Sequence, residues 1–173
     1  MRKVTFGGAC SLDNCLARAD GAVDWLRWSD EAAAVMADFW PTIDTVLMGR
    51  KTYQVAQQMG QAGGYPGVTN YVFSRTLPPQ PGGVVVVREG AEEFVRDLKA
   101  QAGRDICLMG GGELARPLFE AGLIDRVGLN IHPVLLGSGI PVFHPMTRQI
   151  GLELEECRQF ANGCVYVSYR VLN

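Results

Sequence analysis

Short apolar runs alternate with amphipathic segments through the first two thirds of the chain, a pattern typical of an α/β fold. Each amphipathic segment follows turn residues, a glycine or a helix-capping serine, which are ordinary helix starts. The predicted strands cover residues 3–10, 45–48, 71–73, 84–87 and 106–109, and the predicted helices begin at Ser29, Gly49, Glu92 and Gly112.

Two further features of the apolar pattern bear on the fold. The unbroken β-branched run at residues 84–87 predicts a central parallel strand, buried on both faces. Residues 11–28, by contrast, contain turn chemistry and two tryptophans, and we predict a long loop there.

After residue 121 the period of the pattern changes. Residues 126–136 predict one long strand, and residues 152–155 and 165–171 alternate at period two on either side of Asn162 and Gly163. Asn-Gly is the strongest short hairpin signal. We therefore predict a single α/β domain over residues 1–173, with a mostly parallel central sheet and a C-terminal antiparallel hairpin.

Composition narrows the classes of function. The chain has 173 residues, 47% of them hydrophobic, a net charge of −2 and a pI near 5.7. There is no basic excess for nucleic acid, and the apolar runs are far shorter than the roughly 20 residues that span a bilayer, so we expect neither a nucleic-acid nor a membrane partner but a cytoplasmic protein. Five cysteines and two histidines without ligand spacing argue against a metal site.

Three predicted strands end in motifs that suit an anionic ligand. These motifs are residues 49–52 (Gly-Arg-Lys-Thr), Ser74 with Arg75, and residues 110–113 (Gly-Gly-Gly-Glu). The carboxyl ends of parallel strands lie along one edge of a sheet, where ligands bind. Glycines let a phosphate approach the backbone, and helix N-termini favour negative charge. The alternatives are a tight strand-to-helix turn for the glycines and solvated surface cations for the arginines.

Two common nucleotide motifs do not explain these residues. A phosphate-binding loop of the form G-x-x-x-x-G-K-[ST] requires glycine where Arg50 stands. A dinucleotide-binding fingerprint, G-x-G-x-x-A, matches Gly110, Gly112 and Ala115. However, too little α/β chain follows these residues, and the next strand does not end in an acidic residue that could hold a ribose.

The ordered set of motifs resembles the dihydrofolate reductase superfamily. Residues 46–53, 72–75, 108–114 and 123–127 carry the resemblance, which extends over residues 3–172. Residues 131–143 (IHPVLLGSGIPVF) are more similar to the C-terminal reductase domain of the bacterial riboflavin-biosynthesis deaminase-reductase and its free-standing relatives. The resemblance implies a dihydrofolate-reductase-like three-layer fold and a homodimer paired through its sheets.

The resemblance also implies NADPH as the cofactor. The motif at residues 49–52 would contact the diphosphate and the 2′-phosphate, and Ser74 with Arg75 would also bind the 2′-phosphate. The motif at residues 110–113 would contact the diphosphate and would contain a cis Gly110–Gly111 peptide bond. Guanidinium groups suit this role because they hold phosphate oxygens in a bidentate fork. The implied cofactor residues are Ala9, Leu16 and Ala17 beside the nicotinamide, then Gly49, Arg50, Lys51, Thr52, Ser74, Arg75, Met109, Gly110, Gly111, Gly112, Glu113 and Leu114.

On the substrate side, the resemblance implies Trp25, Asp30 and Asn130 as catalytic residues. Trp25 and Asp30 have the spacing by which folate reductases place their pocket carboxylate, and Asn130 falls where those enzymes have a hydroxyl. The alternative for Asp30 is a helix N-terminal acid stabilised by the dipole alone. Gly128 departs from the folate enzymes, which usually have an aromatic residue at this position.

The expected function is hydride transfer from NADPH to a small pterin-like, pyrimidine-like or carbonyl substrate. One candidate reaction is the ribosylaminopyrimidine reduction of riboflavin biosynthesis, for which Arg18 or Arg27 could meet the substrate phosphate. The alternatives are a true dihydrofolate reductase and a non-catalytic nucleotide-binding protein on the same fold.

Overall fold

The computed structural model describes residues 1–61 and 63–172. Within these residues the chain forms ten strands, four α-helices and one turn of 3-10 helix at Trp40–Thr42. The strands are β1 (Val4–Ser11), β2 (Cys15–Ala17), β3 (Ile43–Gly49), β4 (Thr69–Phe73), β5 (Val85–Val87), β6 (Asp105–Leu108), β7 (Arg126–His132), β8 (Ile140–Pro141), β9 (Gly151–Gln159) and β10 (Val165–Leu172). The helices are α1 (Asp30–Phe39), α2 (Arg50–Gln58), α3 (Ala91–Ala100) and α4 (Gly112–Glu120).

Eight of the described strands form one sheet in the order β5-β4-β3-β6-β1-β7-β10-β9. The pairs from β5 to β7 are parallel, whereas β10 is antiparallel to both β7 and β9. The predicted mostly parallel sheet with a C-terminal antiparallel hairpin is therefore confirmed. The chain turns between β9 and β10 at Asn162 and Gly163, and Gly163 has the positive φ of 86° that such a turn requires.

The prediction of a central strand at residues 84–87 is wrong. The observed strand, β5, is the edge strand next to β4. Its burial is one-sided, because Val84 is buried just before the strand while Val85 is 45% exposed. β-Branched residues fit any pleated, half-buried surface, so such a run does not distinguish an edge strand from a central one.

Two other predictions are wrong in extent. The strand predicted over residues 126–136 ends at His132, because Pro133 has no N–H to continue the ladder. The region predicted as a loop over residues 11–28 contains β2, which pairs antiparallel with β8. Neither strand has more than three residues, too few for a recognisable alternating pattern.

Helices cover both faces of the sheet. Adjacent residues of one strand point to opposite faces, and in β3 Leu47 belongs to a core cluster with Val95 of α3 and Leu118 of α4. Met48, the next residue, belongs to a second cluster with Tyr53 of α2. The sheet therefore lies between α3 and α4 on one side and α2 on the other, which confirms the three-layer architecture.

Helix starts follow local chemistry. The hydroxyl of Ser29 accepts a hydrogen bond from the N–H of Ala32 at 3.1 Å and caps α1, as predicted. α2 and α4 instead begin directly after Gly49 and Gly111, which leave their first-turn N–H groups without a side-chain cap. None of the helices in the described residues has the combined length and apolar character needed to cross a membrane.

Candidate functional site

The three strand-end motifs lie side by side. β4, β3 and β6 are neighbours in the sheet and run parallel, with Gly49 opposite Phe73 and Leu47 opposite Leu108. Their carboxyl ends form one edge, which we call the strand-end edge. The prediction that these motifs share one edge is confirmed.

Two of the motifs touch through their backbones. The N–H of Gly49 donates to the carbonyl of Gly110 at 2.9 Å. The peptide bond between Gly110 and Gly111 is cis, as the resemblance implies, and Gly110 has a φ of 118°. A side chain at Gly110 or Gly111 would point at the hydroxyl of Thr52, since its Cβ would lie 3.6 Å or 3.8 Å, respectively, from the hydroxyl oxygen. Glycine keeps this surface open for a ligand.

The strand-end edge is electropositive. The N-termini of α2 and α4 follow adjacent strands and direct uncapped N–H groups to this edge. Arg50, Lys51 and Arg75 add exposed cations, and none of the three has an ion-pair partner among residues 1–61 and 63–172. Glu113, in the first turn of α4, is also exposed.

The second motif is a turn held by hydrogen bonds. The hydroxyl of Ser74 accepts from the N–H groups of Thr76 at 3.3 Å and Leu77 at 3.0 Å. The guanidinium of Arg88 donates to the carbonyls of Arg75 at 2.9 Å and Leu77 at 3.2 Å. The sequence interpretation did not include Arg88; its position directly after β5 at the same edge is the signal that could have identified it.

The residues expected beside the nicotinamide lie on two strands. Leu16 of β2 lies near the glycine motif, since its Cδ1 would be 4.0 Å from a Cβ at Gly110. Ala17, also in β2, is buried. Ala9 lies in β1 opposite Asn130 of β7 and lines a cavity of about 40 Å³. We call this the small cavity; its lining residues are Ala9, Leu26, Arg27, Trp28, Asn130 and His132.

The predicted catalytic residues are only partly brought together. Trp25 is buried and its ring stands edge-on to that of His132, with centroids 5.3 Å apart, and Asn130 lies two residues before His132 on the same strand. Trp25 Nε1 and Asn130 Oδ1 are both buried without a hydrogen-bond partner among the described residues. Asp30 is exposed at the start of α1 and does not line the small cavity. This is the placement that the helix-dipole alternative expects, and a catalytic role for Asp30 stays a prediction.

His132 is a site residue that the sequence motifs did not identify. It ends β7, is 2% exposed and lines the small cavity. Burial, and then the positive charge of Arg27, lower the pKa of His132 from its ordinary value, so the imidazole is neutral near pH 7. Its two-residue separation from Asn130 puts both side chains on one face of β7, which is the signal available in the sequence.

A larger groove of about 380 Å³ lies elsewhere, lined by Trp40, Ile43 and Val68 among others. Ile43 begins β3 and Val68 precedes β4, so the groove lies at the amino ends of these strands. Ligands of parallel sheets bind at the carboxyl ends. We therefore assign the functional site to the strand-end edge and the small cavity.

Comparison with known proteins identifies the family of the chain. The RibD C-terminal domain family matches residues 2–166. The chain belongs to this family. Among relatives of this RibD C-terminal domain is the uncharacterized protein YwjB of Bacillus subtilis (strain 168), 37% identical over 164 residues, with 94% of each chain covered.

Solved structures confirm the dihydrofolate-reductase-like fold. A putative riboflavin biosynthesis protein from Shewanella sp. PV-4 superposes with a TM-score of 0.85 at 22% identity, covering 100% of both chains. A dihydrofolate reductase from Enterococcus faecalis, complexed with NADP(H) and RAB-propyl, gives a TM-score of 0.71 at 16% identity, covering 99% of this chain and 97% of that one. A diaminohydroxyphosphoribosylaminopyrimidine deaminase/5-amino-6-(5-phosphoribosylamino)uracil reductase from Thermotoga maritima gives 0.73 at 16% identity, covering 99% of this chain but 57% of that one.

Proposed function

We propose that this RibD C-terminal domain is an NADPH-dependent reductase of a small pterin-like, pyrimidine-like or carbonyl substrate. The ribosylaminopyrimidine reduction of riboflavin biosynthesis is the first candidate reaction. Family membership supports a reductase of the riboflavin-pathway type. The observation that carries the proposal is the meeting of three anion-binding motifs at the strand-end edge.

The strand-end edge fits the phosphates of NADPH. Open glycine surface at Gly110 and Gly111, with two uncapped helix N-termini, suits the diphosphate. Thr52 offers a hydroxyl donor beside the same glycines. Arg50 and Arg75, exposed and unpaired among the described residues, are the proposed ligands of the 2′-phosphate. Bound here, NADPH would supply the hydride.

In this proposal Ala9, Leu16 and Ala17 flank the nicotinamide, with Leu16 near Gly110 and Ala9 on the small cavity. Because Ala9 also lines that cavity, a substrate bound there would lie beside the cofactor ring. The protein would contribute orientation and exclusion of water.

At about 40 Å³ the small cavity is too small to enclose a planar ring, so in this proposal it receives the polar edge of the substrate while the rest of the ring lies at its rim. Trp28 is 79% exposed at its rim and offers an aromatic face. Asn130 and His132 also line the cavity and offer it polar side chains. Arg27 lines the cavity, whereas Arg18 is already paired with Asp24 at 2.7 Å. We therefore assign a substrate phosphate to Arg27 rather than Arg18.

The cofactor is tested by fluorescence titration with NADPH and NADH. We expect NADPH to bind more tightly, and the Arg50→Ala/Arg75→Ala double variant to lose most of this preference, because the 2′-phosphate loses both guanidinium partners. Arg96→Ala, an exposed change on α3, is the matched control. The cofactor assignment fails if neither nucleotide binds, or if the double variant binds NADPH as wild type does.

The substrate is tested by NADPH oxidation with 5-amino-6-(5-phosphoribosylamino)uracil, with dihydrofolate as the competing substrate. We expect turnover of the first compound, with Arg27→Ala raising KM and leaving NADPH affinity unchanged. Asp30→Asn decides whether that carboxyl takes part, since a dipole role predicts an unchanged kcat. Turnover of dihydrofolate alone would favour a folate reductase, and turnover of neither would favour a nucleotide-binding protein.

We also propose a homodimer, as the family resemblance implies. β9 is an edge strand of the sheet, and Leu152 and Leu154 on it are 44% and 54% exposed. Multi-angle light scattering tests this proposal, and a monomeric mass at micromolar concentration would contradict it.

A further inference from the structure

The turn between β1 and β2 is fastened to the segment between β7 and β8 by one carboxylate. Asp13 Oδ1 accepts hydrogen bonds from the hydroxyl of Ser11 at 2.5 Å and from the N–H of Leu136 at 3.1 Å. Its Oδ2 accepts from the N–H of Gly137 at 2.7 Å. The hydrogen bond from Ser11, and then the two from the backbone, lower the pKa of Asp13 from its ordinary value. The carboxyl is therefore ionised near pH 7, and both of its oxygens are acceptors.

Backbone hydrogen bonds continue this attachment along the chain. The N–H of Leu12 donates to the carbonyl of Val134 at 2.9 Å, and the N–H of Val142 donates to the carbonyl of Asn14 at 3.0 Å. Between these two points, β8 pairs antiparallel with β2. We call residues 134–142 the backing segment, because they run alongside the chain from Leu12 to the end of β2.

The backing segment also packs closely against the glycine motif. A Cβ at Gly139 would lie 2.3 Å from the carbonyl oxygen of Ala17, and a Cβ at Gly112 would lie 2.3 Å from the carbonyl oxygen of Val142. Glycine at both positions lets the backbones approach this closely. The backing segment therefore fixes β2 relative to the start of α4.

We propose that Asp13 is a positioning residue for the nicotinamide end of the cofactor. Asp13 holds the backing segment, and the backing segment holds β2, where Leu16 and Ala17 are the proposed neighbours of the nicotinamide. The inference rests on the proposed function. It predicts an effect on one end of NADPH only, because Arg50 and Arg75, the proposed ligands of the 2′-phosphate, lie outside the segments that Asp13 joins.

Asp13→Asn is the substitution that tests this role. An amide has one acceptor oxygen, and its NH2 group would face a donor, the N–H of either Leu136 or Gly137. One of these two N–H groups therefore loses its partner. Asp38→Asn removes the same charge from an exposed position on α1 and is the matched control.

The attachment is tested first, by hydrogen exchange on the protein without ligand. We expect the N–H groups of Leu136 and Gly137 to exchange faster in Asp13→Asn than in wild type, and to exchange at the wild-type rate in Asp38→Asn. Wild-type exchange rates in Asp13→Asn would overturn the proposal, because the carboxylate would then not hold the backing segment.

The positioning role is then tested by titration with NADPH and with adenosine 2′,5′-bisphosphate, which carries the 2′-phosphate but no nicotinamide. We expect Asp13→Asn to weaken NADPH binding about tenfold and to leave the affinity for the bisphosphate unchanged. Asp38→Asn should change neither affinity. Ser11→Ala, which removes one of the three donors to Asp13, should weaken NADPH binding by a smaller factor, and it replaces Asp13→Asn if that variant does not fold.

Equal weakening of both ligands would mean a general loss of structure, and wild-type affinity for NADPH would mean that the attachment does not position β2. Either result would overturn the positioning role while leaving the cofactor assignment in place. If the wild-type protein binds neither ligand, the proposed function fails and the positioning role fails with it, so the two failures are distinguishable.

Discussion

Lys99 carries a buried positive charge whose partners lie in the segment just before β7. It is 5% exposed, and its ammonium group donates to Asp125 at 2.6 Å and to the carbonyl of Leu123 at 2.8 Å. The same Asp125 oxygen accepts from the N–H of Val4 at 2.7 Å. These contacts tie α3 to the start of β1 and to the segment before β7.

We expect Lys99→Met to lower the free energy of unfolding by about 1–3 kcal/mol, because it removes the donor to the Leu123 carbonyl and the cationic partner of the Asp125 carboxylate. Urea unfolding measures the change. Arg96→Met, on the exposed face of the same helix, should stay within about 0.5 kcal/mol of wild type. Equal effects of the two substitutions would show that the buried contacts contribute nothing.

A second residue-scale prediction concerns pH. The folded pKa of His132 is lowered from its ordinary value of 6.5 by burial and by Arg27, so below about pH 6.5 the unfolded state binds the proton more readily. The unfolding free energy should therefore fall as pH drops from about 8 to about 5.5. His132→Gln should weaken this dependence in urea unfolding curves. Parallel pH profiles for the two proteins would contradict the prediction.

At the scale of the elements, β1 contains two adjacent glycines with opposite surroundings. Gly7 lies opposite Gly128 of β7, and a Cβ built on it would come within 2.7 Å of the Gly128 carbonyl oxygen. A Cβ on Gly8 would meet nothing within 4 Å. The close pairing of β1 with β7, which positions Ala9 beside Asn130, therefore depends on the first glycine and not on the second.

Gly7→Ala should destabilise the protein by about 1–3 kcal/mol, because the backbone oxygen it meets cannot move without displacing β7. Gly8→Ala should be neutral or should stabilise by up to about 1 kcal/mol through the unfolded state. Thermal and urea unfolding of the two variants provide the comparison. A Gly7→Ala variant as stable as Gly8→Ala would mean that the strands separate at little cost.

For the whole molecule, the proposed cofactor should stabilise the fold, because it binds only the assembled strand-end edge. At 100 times its Kd, NADPH is expected to add about 2.7 kcal/mol to the unfolding free energy. NADH at the same concentration should give a smaller shift in Tm, and Arg50→Ala/Arg75→Ala should reduce the difference. Equal Tm shifts from NADPH and NADH in the wild-type protein would contradict the proposed binding of the 2′-phosphate.

Much of the fold could be predicted because it depends on local patterns. The helix cap at Ser29, the glycine starts of α2 and α4, and the Asn-Gly hairpin each depend on a few neighbouring residues. The edge position of β5 could not be predicted, since a valine run has the same local preference at an edge as in the centre of a sheet. The β2–β8 ladder joins segments more than 120 residues apart and leaves no local pattern.

For the candidate site, too, some features could be predicted from the sequence and others could not. The three strand-end motifs could be read from the sequence alone, because each places glycines, or a serine and a cation, within a few residues of the end of a predicted strand. The sequence did not reveal that Arg27, Asn130 and Cys164 surround the ring of His132, or that Asp30 lies exposed at the start of α1. Burial and hydrogen-bond partners depend on residues brought together by strand order, and strand order depends on the whole sheet.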